Sequence, residues 1–467
     1  MIPFTKGAIV QTPSECLSRI GYVLFSGGKA AIFDPLRYSL PYLQAMKANN
    51  AVLETVFLTH TFADLVSGHQ NLGKHTGARI VIGPHSHVHP RYHSGHDNED
   101  FRVGDINVKM IHTPGHTADS VTYLLQEDGR DIALITGDPL FAVPANQSIA
   151  CDLNRKDMKQ NIEEHFRSVQ RLSSVADETL VFPTHGQLGI PGINVESKNA
   201  TTLKEVREKL KVFGAKTPEE FWKALNIKAP LFPPNAAKIV SLNTSESILD
   251  APEFLVKLLV PLTSQQVKEK LKDPNTIILD ARPNPEFIHK NIPNSMWAPP
   301  NAKLGTFFAS VYRGEKIIIV AEPGQAEKVA LRLGEVGIDN VIGFLEGGID
   351  SWDGEVTNSK NIAPKVFAEL YSQGGIEAVD VRTGLEWTAK HVVGVQHIPL
   401  SSFAKEMETL DKSKEYFLFC GSGVRSTIAQ SFARRHGLKT ISVLQGFGGL
   451  TGTTIKMESG DSPQPAK

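Results

Sequence analysis

Five side chains able to hold a metal stand in four short motifs: His60 and Asp64 in T-H-T-F-A-D-L, His116 in H-T-P-G-H-T, Asp138 in T-G-D, and His185 in P-T-H-G. Imidazole nitrogens and carboxylate oxygens are the donors that zinc and iron accept. Within the first motif Phe62 and Leu65 interrupt the donors with side chains that have no lone pair. A second chemistry sits far downstream. The run Y-F-L-F-Cys420-Gly421-Ser422-Gly423-Val424-Arg425-Ser426 ends a β-rich stretch and opens the helical pattern T-I-A-Q-S-F-A-R-R-H-G. A loop between a strand and a helix turns successive backbone N–H groups inward, and the helix start adds positive potential. Both favour a thiolate or persulfide at Cys420, with Arg425 and the hydroxyls of Ser422 and Ser426 expected to assist.

The elements that position these residues are short and β-rich. GYVLFS and AAIFDP predict a hairpin turning at Gly27-Gly28. TVFLTH, ARIVIG, VKMIHT, SVTYLLQ, IALITGD and TLVFPTH predict further strands, four of which run into the metal motifs and so deliver them to loops at one edge of the sheets. MKQNIEEHFRSVQRL and TTLKEVREKLKVF carry helical periodicity. Beyond the proline-rich stretch APLFPPNAAKIVSLN lies an internal repeat. Asp280, Arg282, Glu286, Phe287 and Lys290 return 100 residues later as Asp380, Arg382, Glu386, Trp387 and Lys390. Gly324 and Leu345-Glu346-Gly347 return 99 residues later as Gly423 and Leu444-Gln445-Gly446. Each unit reads as a small α/β domain with a mainly parallel sheet.

The order and flanks of the four metal motifs resemble the metallo-β-lactamase superfamily, whose first motif usually reads His-x-His-x-Asp-His and feeds two adjacent metals. The strand and helix patterns above suit a layered αββα sandwich over residues 1–240. With Phe62 and Leu65 at two histidine positions, the resemblance implies one metal held by His60, His116 and Asp138, with Asp64 and His185 orienting ligands by hydrogen bonds. Two imidazoles and one carboxylate is the set that leaves open positions on ferrous iron, and within the superfamily it resembles the persulfide dioxygenases. Phe62 and Leu65 would line an apolar wall suited to an uncharged sulfur chain. The family's Gly-Arg-x-Asp loop after T-G-D is absent: this chain reads A-V-P-A-N-Q-S-I-A-C-D-L-N, without arginine.

The repeat, the D-x-R…E-[FW] stretch and the L-x-G-G ending resemble rhodanese domains, placed at 257–356 and 364–457, after a linker at 241–256 and before a disordered tail at 458–467. In the first of these the nucleophile position is Ala321, flanked by Glu322 and Glu327, which marks it as a scaffold or docking domain. The whole arrangement resembles bacterial persulfide dioxygenase–rhodanese fusions. It implies oxidation of a low-molecular-weight thiol persulfide by O₂ to sulfite at one Fe²⁺ per chain, with zinc as the alternative ion. Sulfur transfer through Cys420, carrying sulfane sulfur to or from sulfite and thiosulfate, would follow. Two other readings stay open: a sulfurtransferase with a degenerate, metal-free first domain, and a single-zinc thioesterase of the glyoxalase II type.

Composition narrows the classes further. The 467 residues suggest about three domains; 41% are hydrophobic, 21% charged, and the net charge is −1. Neither nucleic acid nor a membrane is implied as a partner, and a homo-oligomer is allowed. MIPFTKGAIV does not read as a secretory signal. Three cysteines, Cys16, Cys151 and Cys420, make no disulfide framework, which fits a reducing cytoplasm. Cys16 and Cys151 read as small buried hydrophobes. The histidines of PHSHVHPRYHSGH, namely His85, His87, His89, His93 and His96, read as solvated surface rather than a chelating cluster.

Overall fold

The computed structural model describes residues 1–14, 19–86, 91–138, 158–185, 201–225, 235–245, 248, 250–301 and 303–460. The chain divides into two compact units, Met1–Phe232 with Ala236–Ala251, and Pro233–Asn235 with Pro252–Lys467.

The first unit is built on two sheets. One runs Ile2–Pro3, Gly7–Pro13, Ile20–Ser26, Lys29–Phe33, Val52–Phe57, Arg79–Ile82 and His93–Ser94 in spatial order. It is antiparallel through Lys29–Phe33 and parallel beyond it. The predicted hairpin is present, with Gly27 at φ 54° and Gly28 at φ 72°, both in the region that a two-residue turn of this type demands. The other sheet runs Thr201–Thr202, Leu180–Pro183, Arg130–Gly137, Val121–Glu127, Ile106–His112 and Asp100–Val103.

Alternation along the strands decides the layering. Tyr22, Leu24, Phe33 and Phe57 from the first sheet meet Val108, Met110, Tyr123 and Ile135 from the second in one buried cluster. Their neighbours point the other way. Val23, Ile32 and Val56 pack under helices Leu40–Ala48 and His69–Thr76 through Tyr42, Met46 and Leu72. Ile111, Leu124 and Leu134 pack under Met158–Leu172, Leu203–Lys209 and Pro218–Leu225 through Val169, Leu172, Leu203, Val206 and Phe221. This is the αββα sandwich that the strand and helix patterns imply.

Residues 241–251 depart from the linker reading. Helices Ala236–Thr244 and Ala251–Leu258 occupy most of the 241–256 stretch, and its first part is folded onto the first unit. Buried Asn243 donates through Nδ2 to the carbonyls of Phe62 and Leu65, both at 2.9 Å, and accepts from the Ser67 amide at 2.8 Å. Asp250 accepts from the Ser39 amide at 3.0 Å. The proline-rich stretch does lie where the two units part, but the residues just after it return to the first unit, where the Asn243 amide has three backbone partners.

The second unit holds two five-stranded parallel sheets of the same strand order. The first runs Pro261–Leu262, Val341–Leu345, Lys316–Val320, Thr276–Asp280 and Met296–Trp297; the second runs Asn361–Ile362, Lys439–Val443, Glu415–Phe419, Glu377–Asp380 and Gln396–His397. The repeat seen in sequence is repeated in detail. Arg282 grips Asp280 through Nε at 3.0 Å and Nη2 at 2.6 Å, and Arg382 grips Asp380 at the same two distances. The tail is partly ordered: Met457–Glu458 pairs with His391–Val392, and the Gly460 amide donates to Thr388, so disorder cannot begin at 458. Among the described residues no helix is long and apolar enough to cross a membrane.

Candidate functional site

The four metal motifs meet at one end of the sandwich because three strands end there. Val52–Phe57 runs into Thr59-His60, Arg130–Gly137 into Asp138, and Leu180–Pro183 into Thr184-His185. His116 arrives on a loop that lies flat on helix Met158–Leu172: a Cβ on Gly115 would sit 2.4 Å from the His165 backbone, and Ser168 Oγ donates to the Pro114 carbonyl at 2.7 Å. Glycine is the residue that permits this approach.

Two buried carboxylates that the motif reading did not single out hold these loops in register. Asp34 accepts from the Thr59 amide at 2.8 Å, from Thr59 Oγ1 at 2.9 Å and from Thr184 Oγ1 at 3.0 Å, so one side chain ties the His60 and His185 loops. Burial pushes its pKa up to about 6 despite the nearby Arg19 and these hydrogen bonds. Asp119 accepts from the Thr61 amide at 3.0 Å and from Thr117 Oγ1 at 2.6 Å, tying the His60 and His116 loops.

The structure brings His60, His116 and Asp138 together, each buried, with one donor atom of each within 4.8 Å of the others. His60 Nε2 and His116 Nε2 face Asp138 Oδ2 at 3.9 and 3.5 Å. Burial pushes the His60 pKa down to about 3, which keeps its imidazole neutral. Burial works against ionising Asp138, but His185 and the other two imidazoles outweigh it and hold the carboxyl well below the usual range. Neutral imidazoles and an ionised carboxylate are what a divalent cation requires.

Asp64 and His185 stand beside this triad. His185 Nδ1 faces Asp138 Oδ1 at 2.8 Å, and its Nε2 faces Asp64 Oδ2 at 2.9 Å. Burial opposes its charge, yet a carboxylate at each ring nitrogen overrides this and pushes the pKa up to about 10. Phe62, 1% exposed, stands edge-on to His60 with ring centroids 4.3 Å apart, and Leu65 is buried too. Of the histidine-rich segment, His93 and His96 both face Glu99, at 2.6 and 3.8 Å. His87, His89, Cys16, Cys151 and the A-V-P-A loop lie outside the described residues.

In the second unit, strand Glu415–Phe419 delivers Cys420, 1% exposed, to a loop that helix Val424–Arg435 closes. The Gly423 amide donates to Cys420 Sγ at 3.1 Å, the inward N–H that the strand-loop-helix reading expected. Arg425 has two partners. Burial works against its charge, but Glu386 first and Cys420 second hold it firmly protonated. The Glu386 pair is bidentate, at 2.6 and 2.7 Å. Glu386, read in sequence only as a marker of the repeat, therefore sets where that guanidinium points.

Ser426 departs from expectation. Its hydroxyl donates to the Gly423 carbonyl at 3.0 Å and accepts from Ser442 at 2.9 Å, so it shapes the loop rather than contacting sulfur. Ser422 is exposed, and Gly421 and Val424 are half-buried. The first repeat supports the loop from behind. The Trp297 amide donates to Ser431 Oγ on the active-loop helix at 3.0 Å.

Comparison with known proteins agrees with both halves. The family model for the rhodanese-like domain matches residues 263–355 and 363–449. A hydroxyacylglutathione hydrolase of Methylococcus capsulatus is 32% identical over 162 residues, which are 34% of this chain and 58% of that protein. The chain thus spans little more than half the length of that relative. A crystal structure of a metallo-beta-lactamase from Staphylococcus aureus subsp. aureus COL, 19% identical, covers 73% of this chain and 99% of its own, with a TM-score of 0.64. ETHE1 from Myxococcus xanthus, 26% identical, covers 51% of this chain and 96% of its own at a TM-score of 0.41. The chain is a fusion of a metallo-β-lactamase-fold domain with two rhodanese-like domains.

Proposed function

We propose that this protein is an enzyme that oxidises a low-molecular-weight thiol persulfide with O₂ to sulfite at one iron, and moves sulfane sulfur through Cys420. One observation carries the reading. A single chain joins a buried two-histidine, one-carboxylate triad to a rhodanese loop holding a cysteine.

His60, His116 and Asp138 would hold the ion, and the neutral imidazole of His60 and the ionised carboxylate of Asp138 fit it. A second ion would find few unspent donors nearby, because Asp64 and His185 hold each other and Phe62 has no lone pair. When bound, iron supplies the redox chemistry that joins O₂ to the terminal sulfur. The protein's residues do the rest. His185 holds Asp138 by Oδ1 and so aims Oδ2 at the two imidazoles, while Phe62 covers one side of His60 against water. Overall, persulfide, O₂ and water give thiol, sulfite and two protons.

At the second site Cys420 Sγ attacks the outer sulfur of a donor persulfide, and the donor thiolate leaves. The sulfur now on Cys420 carries the negative charge that the Gly423 amide and Arg425 face. Sulfite then takes that outer sulfur as thiosulfate and returns the Cys420 thiolate.

The similarity to hydroxyacylglutathione hydrolases favours a second reading, a thioesterase using one zinc ion at the same triad. It also makes glutathione persulfide a sensible first probe. Elemental analysis of protein purified without oxygen separates the readings. About one iron per chain supports persulfide oxidation, zinc with thioester hydrolysis supports the second reading, and protein without metal defeats both.

A further inference from the structure

Arg19 belongs to no motif, yet it is 1% exposed and lies against the metal site. Its backbone bridges to His185, and its guanidinium carbon sits 3.4 Å from the centroid of Phe62. The same ring stands edge-on to His60, with centroids 4.3 Å apart. Nη1 reaches Asp64 Oδ1 only at 3.5 Å. Among the described residues, Nε and Nη2 have no hydrogen-bond partner at all.

Those two atoms form one edge of the guanidinium, with parallel N–H bonds. The same edge is what Arg282 and Arg382 use to hold Asp280 and Asp380. A buried cation is costly unless it is paired and hydrogen-bonded, and buried polar atoms are as a rule satisfied. Among the described residues, the edge that this chain twice fills with a carboxylate meets none at Arg19.

We propose that the Nε–Nη2 edge of Arg19 is an oxyanion subsite beside the metal triad, taking a group that offers two oxygens from one centre. A carboxylate on the thiol carrier and the sulfite product share that chemistry. The subsite stands on the geometry alone; only the source of the anion rests on the function proposed above.

The test is calorimetric titration of the full chain with sulfite and with acetate, metal-loaded and chelator-stripped, for the wild type, Arg19→Lys and Arg19→Gln. Lysine keeps the charge and loses the two-pronged edge. At least one anion should bind the wild type, about tenfold more weakly to Arg19→Lys, and not to Arg19→Gln, whether or not metal is present. If Arg19→Gln fails to fold, Arg19→Lys decides alone, with circular dichroism and metal content verifying its fold. Equal affinity in wild type and Arg19→Lys overturns the proposal. So does binding that disappears with the metal while ignoring residue 19.

Kinetics then identify the source. A KM raised about tenfold in Arg19→Lys for glutathione persulfide, but not for its diester, assigns the carrier carboxylate. An unchanged KM with weaker inhibition by sulfite assigns the product, and no change in either overturns the subsite. Should no persulfide be oxidised, the proposed function fails while the calorimetry still judges Arg19.

Discussion

Asn243→Ala removes a side chain distant in sequence from the motif that it touches, and its cost can be worked from three distances. Nδ2 donates to the carbonyls of Phe62 and Leu65, and Oδ1 accepts from the Ser67 amide. Asn243 is 3% exposed, so water does not readily replace it. Each net hydrogen bond is worth about 1 kcal/mol, and a backbone group left buried without a partner costs about 1–3 kcal/mol. The loss is therefore at least about 3 kcal/mol, a large share of the ~5–15 kcal/mol that stabilises a domain. For a unit of this size that is a fall in melting temperature of roughly 6–12 °C. Because the affected loop lies between His60 and the end of the motif, metal should also leave faster. Differential scanning calorimetry and the rate of metal loss to a chelator read the two effects. Asn243→Asp should be no better, since its carboxylate would face two carbonyl oxygens. A stability change below about 1 kcal/mol in Asn243→Ala would refute the reasoning, and would mean that the loop finds other partners.

Three further outcomes are expected. Cys420→Ser should abolish sulfur transfer, with iron content and oxygen uptake kept; sulfur donors should add one sulfur atom to the peptide holding Cys420 and not to those holding Cys16 or Cys151, read by mass spectrometry. Ala321→Cys in a Cys420→Ser background should give no thiosulfate:cyanide transfer, because the first repeat has Ala326 and Glu327 where the second has Arg425 and Ser426; measurable transfer would contradict the view of that domain as inert. In chelator-stripped protein, the His185 pKa is raised from 6.5 to about 10, so its contribution to stability is fully present below pH 6.5 and is lost as pH rises through about 10. Wild type should therefore lose melting temperature over that window relative to His185→Gln, and parallel curves would count against it.

Much of this molecule was legible in sequence where the signal is local. Strands that run into T-H, T-G-D and P-T-H motifs placed donors on one sheet edge, and the 100-residue offset anticipated two similar α/β domains, whose Asp–Arg forks the structure then adds. What escaped depends on contacts distant in the chain. Arg19 meets Phe62 and Asp64, and Asn243 meets Phe62 and Leu65, with no spacing rule to announce either. Glu386 was visible as a repeated residue but not as the partner of Arg425. Ser426 was misassigned for a different reason. Sequence gives nearness to Cys420 but not direction, and one turn into the helix the hydroxyl points back at the Gly423 carbonyl.

The proposed function rests on His60, His116 and Asp138 holding a single iron that turns over a thiol persulfide. The most direct measurement is oxygen uptake alongside sulfite release from glutathione persulfide, by iron-loaded wild type, His116→Ala and Asp138→Ala. One sulfite per O₂ is expected in the wild type, with loss of both metal and turnover in either variant, since no ligand of a three-ligand site is spare. Thioester hydrolysis by the wild type without oxygen uptake, or full activity in either variant, would contradict the proposed function.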